Sequence, residues 1–86
     1  MDKLYTLRFD SKAKKDLKSI DKTWQLHILD KIESTLTTHP QSGKKLVGNL
    51  SPYWRLRVGN YRVIYKIVEN TVTVVVLKIK HRKDIY

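Results

Sequence analysis

Eighty-six residues make one small domain, and eighteen Lys and Arg against eight Asp and Glu leave a formal charge of +10. With no cysteine and with histidine only at positions 27, 39 and 81, disulfide staples and thiolate metal sites are excluded, no metal-ligand spacing is visible and no cofactor is predicted. No apolar run approaches the roughly 18 residues of a membrane span and the N-terminus lacks a signal-peptide core, so a cytoplasmic protein without a membrane partner is expected.

Residues 4–9 alternate, with Tyr5, Leu7 and Phe9 on one parity, and predict a strand. Asp10 or Ser11 can cap a short helix through about Ser19, whose apolar side is Ala13, Leu17 and Ile20. Asp21 can cap a longer helix to about Thr38, in which Trp24, Ile28, Ile32 and Leu36 recur every fourth residue with Leu29 beside them. Pro40 and Gly43 end it, and the short link between the two helices predicts a helical hairpin. After a loop from His39 to about Lys45 the period changes to two. Residues 53–58, 61–67 and 71–79 read as strands, joined by tight turns at Gly59-Asn60 and Glu69-Asn70. Strand, helix, helix and a three-stranded meander make an α+β fold: an antiparallel twisted sheet with the hairpin on one face, in a single domain over residues 1–86.

The charge is unevenly spread. Residues 1–43 hold eight basic and six acidic side chains, a net of +2; residues 44–86 hold ten basic and two acidic, a net of +8. A field that one-sided attracts polyanions. Strand parity predicts where it points. Trp54, Leu56 and Val58 share one side of the first meander strand, with Arg55 and Arg57 on the other. Tyr61, Val63, Tyr65 and Ile67 oppose Arg62, Ile64 and Lys66. In the last strand Thr73, Val75, Leu77 and Ile79 are predicted to face the helices. Val74, Val76, Lys78 and Lys80 take the other side, with Arg82 following in register. Charge on an open antiparallel face can be mere solvation. Two features favour a polyanion site instead: no carboxylate is predicted on this surface, and Arg, whose planar fork can grip phosphate in two places, holds the strand centres.

YWRLRVGNYRVIYKI (53–67) and VVVLKIKHRKDIY (74–86), preceded by SKAKKDLKSI and KLVGNLSP, resemble the RelE/ParE superfamily of toxins from toxin–antitoxin systems. The likeness covers nearly the whole chain and implies the RelE-like microbial RNase fold. RelE-like members are mRNA interferases that cut messenger RNA on the ribosome and stop translation; ParE-like members poison DNA gyrase. The resemblance carries the nuclease set onto Arg55 and Arg57 before the turn, Arg62 in the central strand, Arg82 after the last strand, and Tyr86. All five are filled, which implies the RelE-like branch. It also implies a RelB-like antitoxin as partner, beside messenger RNA on the ribosome.

RNA supplies its own nucleophile, the 2′-hydroxyl, whose in-line attack yields a 2′,3′-cyclic phosphate and a free 5′-hydroxyl. Clustered Arg and Lys stabilise the extra negative charge. Tyr86 among cations is the first candidate for proton transfer, and His81, an imidazole next to Arg82, is the rival. Lys66, Lys78, Lys80 and Lys83 are expected to bind RNA. Gyrase inhibition, or a non-enzymatic basic nucleic-acid-binding module, are the alternatives.

Overall fold

The computed structural model describes residues 4–46 and 52–85, with the backbone alone at 84 and 85. Helix α1 spans Ser11–Lys18 and α2 spans Lys22–Leu36. Asp21 caps α2 as expected: its carboxylate accepts the Thr23 N–H at 3.2 Å, satisfying one of the free amides of the first turn. Ile28, Ile32 and Leu36 are fully buried, at the spacing that keeps side chains on one helix face. Leu29, read as part of that stripe, is 37 % exposed, because one residue turns the helix by about 100° and carries it off the seam. Thr37 and Thr38, predicted as helical, lie beyond its end; their hydroxyls donate back to the Glu33 and Ser34 carbonyls.

Among the described residues, five strands follow the order β1-β5-β4-β3-β2. They are β1 (Thr6–Phe9), β2 (Lys44–Lys45), β3 (Tyr53–Val58), β4 (Tyr61–Val68) and β5 (Thr73–His81). The α+β class and the helical cover on one face are as the sequence predicts, and the sheet carries two additions. Strand β1 runs parallel to β5, from Thr6 opposite Thr73 to Phe9 opposite Val76, so the sheet is mixed rather than wholly antiparallel. Lys44 and Lys45, expected in a loop, pair with Arg55 and Trp54 as a two-residue edge strand, too short for any period to reveal.

The inner face of the sheet and the helices enclose one core, in which Val63, Tyr65, Val74 and Val76 meet Ala13, Ile28, Ile32 and Leu36. Tyr65 is fully buried, and its hydroxyl donates to the Pro40 carbonyl at 2.6 Å. Burial, outweighing the backbone contact at Gly43, pushes that hydroxyl up to about 12.

The two hairpins differ. Gly59-Asn60 is the predicted tight turn, with Gly59 at φ +58°; a side chain there would collide with the Trp24 ring, so the turn is pressed onto α2. At Glu69-Asn70 a 3-10 turn spans Glu69–Thr71 and Val72 adopts φ +48°, a costly conformation for a β-branched residue. Strand β5 therefore starts two residues later than predicted and runs to His81, which pairs with Tyr61.

Strand β5 also departs from its predicted facing. Its register with β4 steps from Ile64 opposite Lys78 to Tyr65 opposite Val76, leaving Leu77 as a bulge. One extra residue reverses parity upstream of it. Val74 and Val76 are fully buried in the core, while Val75 pairs with Lys66. The sequence expectation of Val75 and Leu77 inward, and Val74 and Val76 outward, is thus corrected; Ile79, Lys78 and Lys80 lie downstream and keep their predicted sides.

Candidate nucleic-acid interface

Side chains opposite one another in an antiparallel register share a face, so the outer surface of the sheet can be built up row by row. The row nearest the Gly59-Asn60 turn is Arg57, Arg62 and Lys80, three cations in direct register across β3, β4 and β5. The next is Arg55, Ile64 and Lys78, with Lys44 of β2 beyond Arg55. The third is Tyr53, Lys66 and Val75. Rows stand about 6.6 Å apart, two residues of strand rise.

Past the end of β5 the chain turns back over the hairpin. The Arg82 N–H donates to the Asn60 carbonyl at 2.6 Å, which ties the residue after the last strand to the turn between the two before it. Arg82 thereby joins Arg57 and Arg62 around one concavity of about 170 Å³. The only ion pair among the described residues is Lys12–Asp16, so none of these guanidinium groups is neutralised by a described carboxylate. Like charges in direct register destabilise a sheet, and a cluster of unpaired Arg forks is chemically an anion site.

A larger groove of about 570 Å³ crosses the same face. Arg55, Arg62, Lys78 and Lys80 line it, together with Leu46, Tyr53, Ile64 and Leu77. Asp10 and Lys12 close its α1 side, which corrects the expectation that no carboxylate shares this surface. Arg62 belongs to both concavities.

Of the predicted site residues, then, Arg57, Arg62 and Arg82 meet in one concavity, and Arg55, Lys78 and Lys80 in the groove beside it. Lys66 lies on the same face but lines neither, and Lys83 is exposed beyond Arg82, also outside both. Tyr86 falls outside the described residues. His81 stands apart. Its ring meets Tyr61 edge-on at 5.0 Å, and it borders a different hollow with Asp16, Lys12 and Ser19. Its Nδ1 accepts the Lys83 N–H at 3.1 Å, which in the neutral ring leaves the proton on Nε2.

Residues 7–86 match the family described as the ParE toxin of the type II toxin–antitoxin system parDE. The chain belongs to this toxin family. Within the RelE/ParE superfamily it is 34 % identical to Toxin RelG of Mycobacterium tuberculosis over 83 residues, 95 % of each chain. Its fold matches a chain of the toxin–antitoxin complex RelBE2 from the same organism with a TM-score of 0.89 at 31 % identity, covering 98 % of this toxin and 100 % of that chain. The archaeal RelE–RelB complex from Pyrococcus horikoshii gives a TM-score of 0.78 at 26 % identity, covering 94 % and 98 %. The isolated RelE toxin of E. coli shares the fold, with a TM-score of 0.76 at 23 % identity over 90 % and 83 %.

The toxin also uses residues that sequence reasoning passed over. Asp16 of α1 accepts the Ile79 N–H at 2.9 Å, on the edge of β5 that β1 leaves after Val76. A carboxylate here stands in for a neighbouring strand. Desolvation raises its pKa, but hydrogen bonds from Lys12 and Ile79, and the charges of Lys12 and Lys80, outweigh that and hold it below the ordinary range. Asp16 thus fixes the half of β5 that carries Lys78 and Lys80. Helical spacing brings Asp16 to Lys12 at i, i+4, but nothing local signals a partner 63 residues away.

Proposed function

We propose that this toxin is a ribosome-dependent messenger RNA endoribonuclease that stops translation. The observation that carries the reading is the convergence of Arg57, Arg62 and Arg82 on one concavity with no described carboxylate paired to them. A scissile phosphate seated there gains charge as the neighbouring 2′-hydroxyl attacks, and fixed guanidinium groups stabilise that charge without reorganising. Arg55, Lys78 and Lys80 continue the cationic surface into the adjoining groove. No group in this scheme calls for a metal or cofactor, since the nucleophile belongs to the substrate.

Proton transfer falls to Tyr86 in this reading. His81 faces away from the arginine concavity, its Nδ1 lone pair engaged by Lys83 and its Nε2 already protonated in the neutral ring, so it is poorly placed to accept a proton from the nucleophile. Its task is to hold the turn that carries Arg82. The ribosome supplies what so small a protein lacks: groups enough to orient a flexible strand for in-line attack.

A RelB-like antitoxin is the proposed protein partner. The RelE chains of known structure that this toxin resembles include ones held in complexes with RelB. An acidic segment that folds onto the sheet would find +8 of net charge in residues 44–86 to neutralise. A protein that acts on ribosomes and pairs with such an antitoxin works in the cytoplasm.

The ParE description of the matched family favours gyrase inhibition as the second reading. Translating ribosomes incubated with the toxin separate the two: cut message with a 2′,3′-cyclic phosphate end is expected. Intact message beside trapped gyrase–DNA complexes would move the assignment to gyrase. Intact message with salt-sensitive RNA binding alone would make the protein a binding module.

A further inference from the structure

Leu77 sits where an apolar residue is least expected, on the cationic outer face, and it is there because the β5 bulge turns it outward. A bulge costs the ladder a residue of pairing, and bulges gather where a side chain has to be re-aimed. The re-aimed side chain joins Ile64 and Tyr53 in lining the groove of about 570 Å³, and Arg55, Lys78 and Lys80 line the same groove. Phosphates seek cations and the flat faces of unpaired bases seek apolar or aromatic surface, and this groove offers both.

We propose that the groove is a subsite for the unpaired nucleobases flanking the scissile phosphate, with Leu77, Ile64 and Tyr53 as the base-contacting residues. The adjacency to a scissile phosphate rests on the nuclease reading; the ligand class does not. Continuity favours a nucleic-acid strand over a peptide. Arg62 lines both the arginine concavity and the groove, so a strand whose phosphate lies on Arg62 continues over Ile64 and Leu77. Charge agrees: Arg55, Arg62, Lys78 and Lys80 line the groove, while at its α1 side Lys12 is paired with Asp16 and Asp10 is the one lining carboxylate. A duplex would leave the floor unused, because its bases already stack on one another. The bound strand is therefore single.

The test is equilibrium binding of the full chain to a single-stranded oligonucleotide whose sugars lack the 2′-hydroxyl, so that no cleavage intrudes, against the same backbone carrying abasic sugars. The wild-type toxin should bind the base-bearing strand about tenfold more tightly than the abasic one. Leu77→Asn and Ile64→Thr should each reduce that ratio to about twofold and leave abasic binding and its salt dependence unchanged. Ile64→Thr keeps a β-branched residue in the strand, so it reports even if Leu77→Asn perturbs the bulge. Equal wild-type affinity for both strands overturns the proposal, as does a ratio that neither substitution alters. So does loss of binding to an acidic amphipathic peptide without change in the ratio, which would make the groove a peptide-docking site. A preserved ratio in a toxin that leaves ribosomal message intact would remove the nuclease reading and keep the base subsite; cleavage without the ratio would do the reverse.

Discussion

The two faces of the sheet are built on opposite terms. On the inner face every buried side-chain polar atom among the described residues has a partner, and fully buried Val63, Val74 and Val76 lie against the helices. On the outer face Arg57, Arg62 and Lys80 confront one another across three strands, and an apolar Leu77 is turned toward solvent beside them. One face satisfies the chain's own groups; on the other, no described carboxylate is paired with the arginines. The difference teaches that stability and function are segregated by strand parity here, so substitutions on the two faces should fail in different assays.

The largest expected effect lies on the outer face. Arg62→Ala and Arg82→Ala should each lower message cleavage on ribosomes by about 10²- to 10³-fold, the loss typical of one well-aimed donor to a developing oxyanion. Thermal unfolding of both should match or slightly exceed wild type, since a repelling cation has been removed. Normal cleavage by either variant would take that residue out of the reaction, and a large fall in stability would erase the division between the faces.

How far this division was legible in the sequence depended on contrast. Strand β3 alternates apolar with Arg from Trp54 to Val58, and its limits and facing came out as predicted. Residues 74–76 are three valines, which carry no contrast at all. Parity read from Lys78, Ile79 and Lys80 was extended upstream through a bulge that composition does not announce, and so it inverted the facing of Val74, Val75 and Val76. The arginine row was legible because its members sit in strongly alternating strands. The groove floor was not, because it needs the bulge, and Asp10 reaches the groove only through the turn into α1. The Asp16 bond to β5 is likewise a tertiary fact with no local trace.

On the inner face the sharpest probe is Tyr65→Phe. Burial pushes the Tyr65 hydroxyl up to about 12, against 10.0 for a free tyrosine. A folded-state pKa above the unfolded one gives stability that is complete below pH 10 and is lost as pH rises through 12. By linkage, the wild type should lose up to about 2 to 3 kcal/mol over that interval. Phe has no proton to lose, so its stability should fall less, though at pH 8 it should begin about 1 to 3 kcal/mol lower because the Pro40 carbonyl loses its donor. Tyr5, raised chiefly by its hydrogen bond to Glu69, is common to both proteins and cancels in the comparison. Urea unfolding at pH 8 and pH 11 reads the difference; parallel losses in the two proteins would show that Tyr65 titrates like an exposed phenol.

His81 lies where the faces meet, and its substitution separates holding Arg82 from moving a proton. Asn places its Oδ1 near the position of the imidazole Nδ1 and can still accept the Lys83 N–H, whereas Gln reaches past it. His81→Asn should keep cleavage within about twofold of wild type, and His81→Gln should lose about five- to tenfold, the worth of a hydrogen bond of about 1 kcal/mol. Equal losses of about 10²-fold or more in both would instead give His81 the proton-transfer role.

The smallest effect tests the comparison most directly. Arg57 and Arg62 are direct cross-strand partners of like charge, a pairing that should cost the folded state up to about 1 kcal/mol relative to a neutral pair. Arg57→Thr keeps a strand-forming residue and removes the repulsion, so the variant should unfold at higher urea in low salt. Screening shortens the reach of these charges, and the gain should shrink as ionic strength rises toward 1 M, where the Debye length is about 3 Å. The same variant should cut message less well than wild type. A protein made more stable and less active by one substitution on its cationic row would show that the repulsion is retained for the sake of the phosphate it awaits. If Arg57→Thr is instead less stable at every salt concentration, the guanidinium stem is packing against its neighbours, and the outer face contributes to the fold after all.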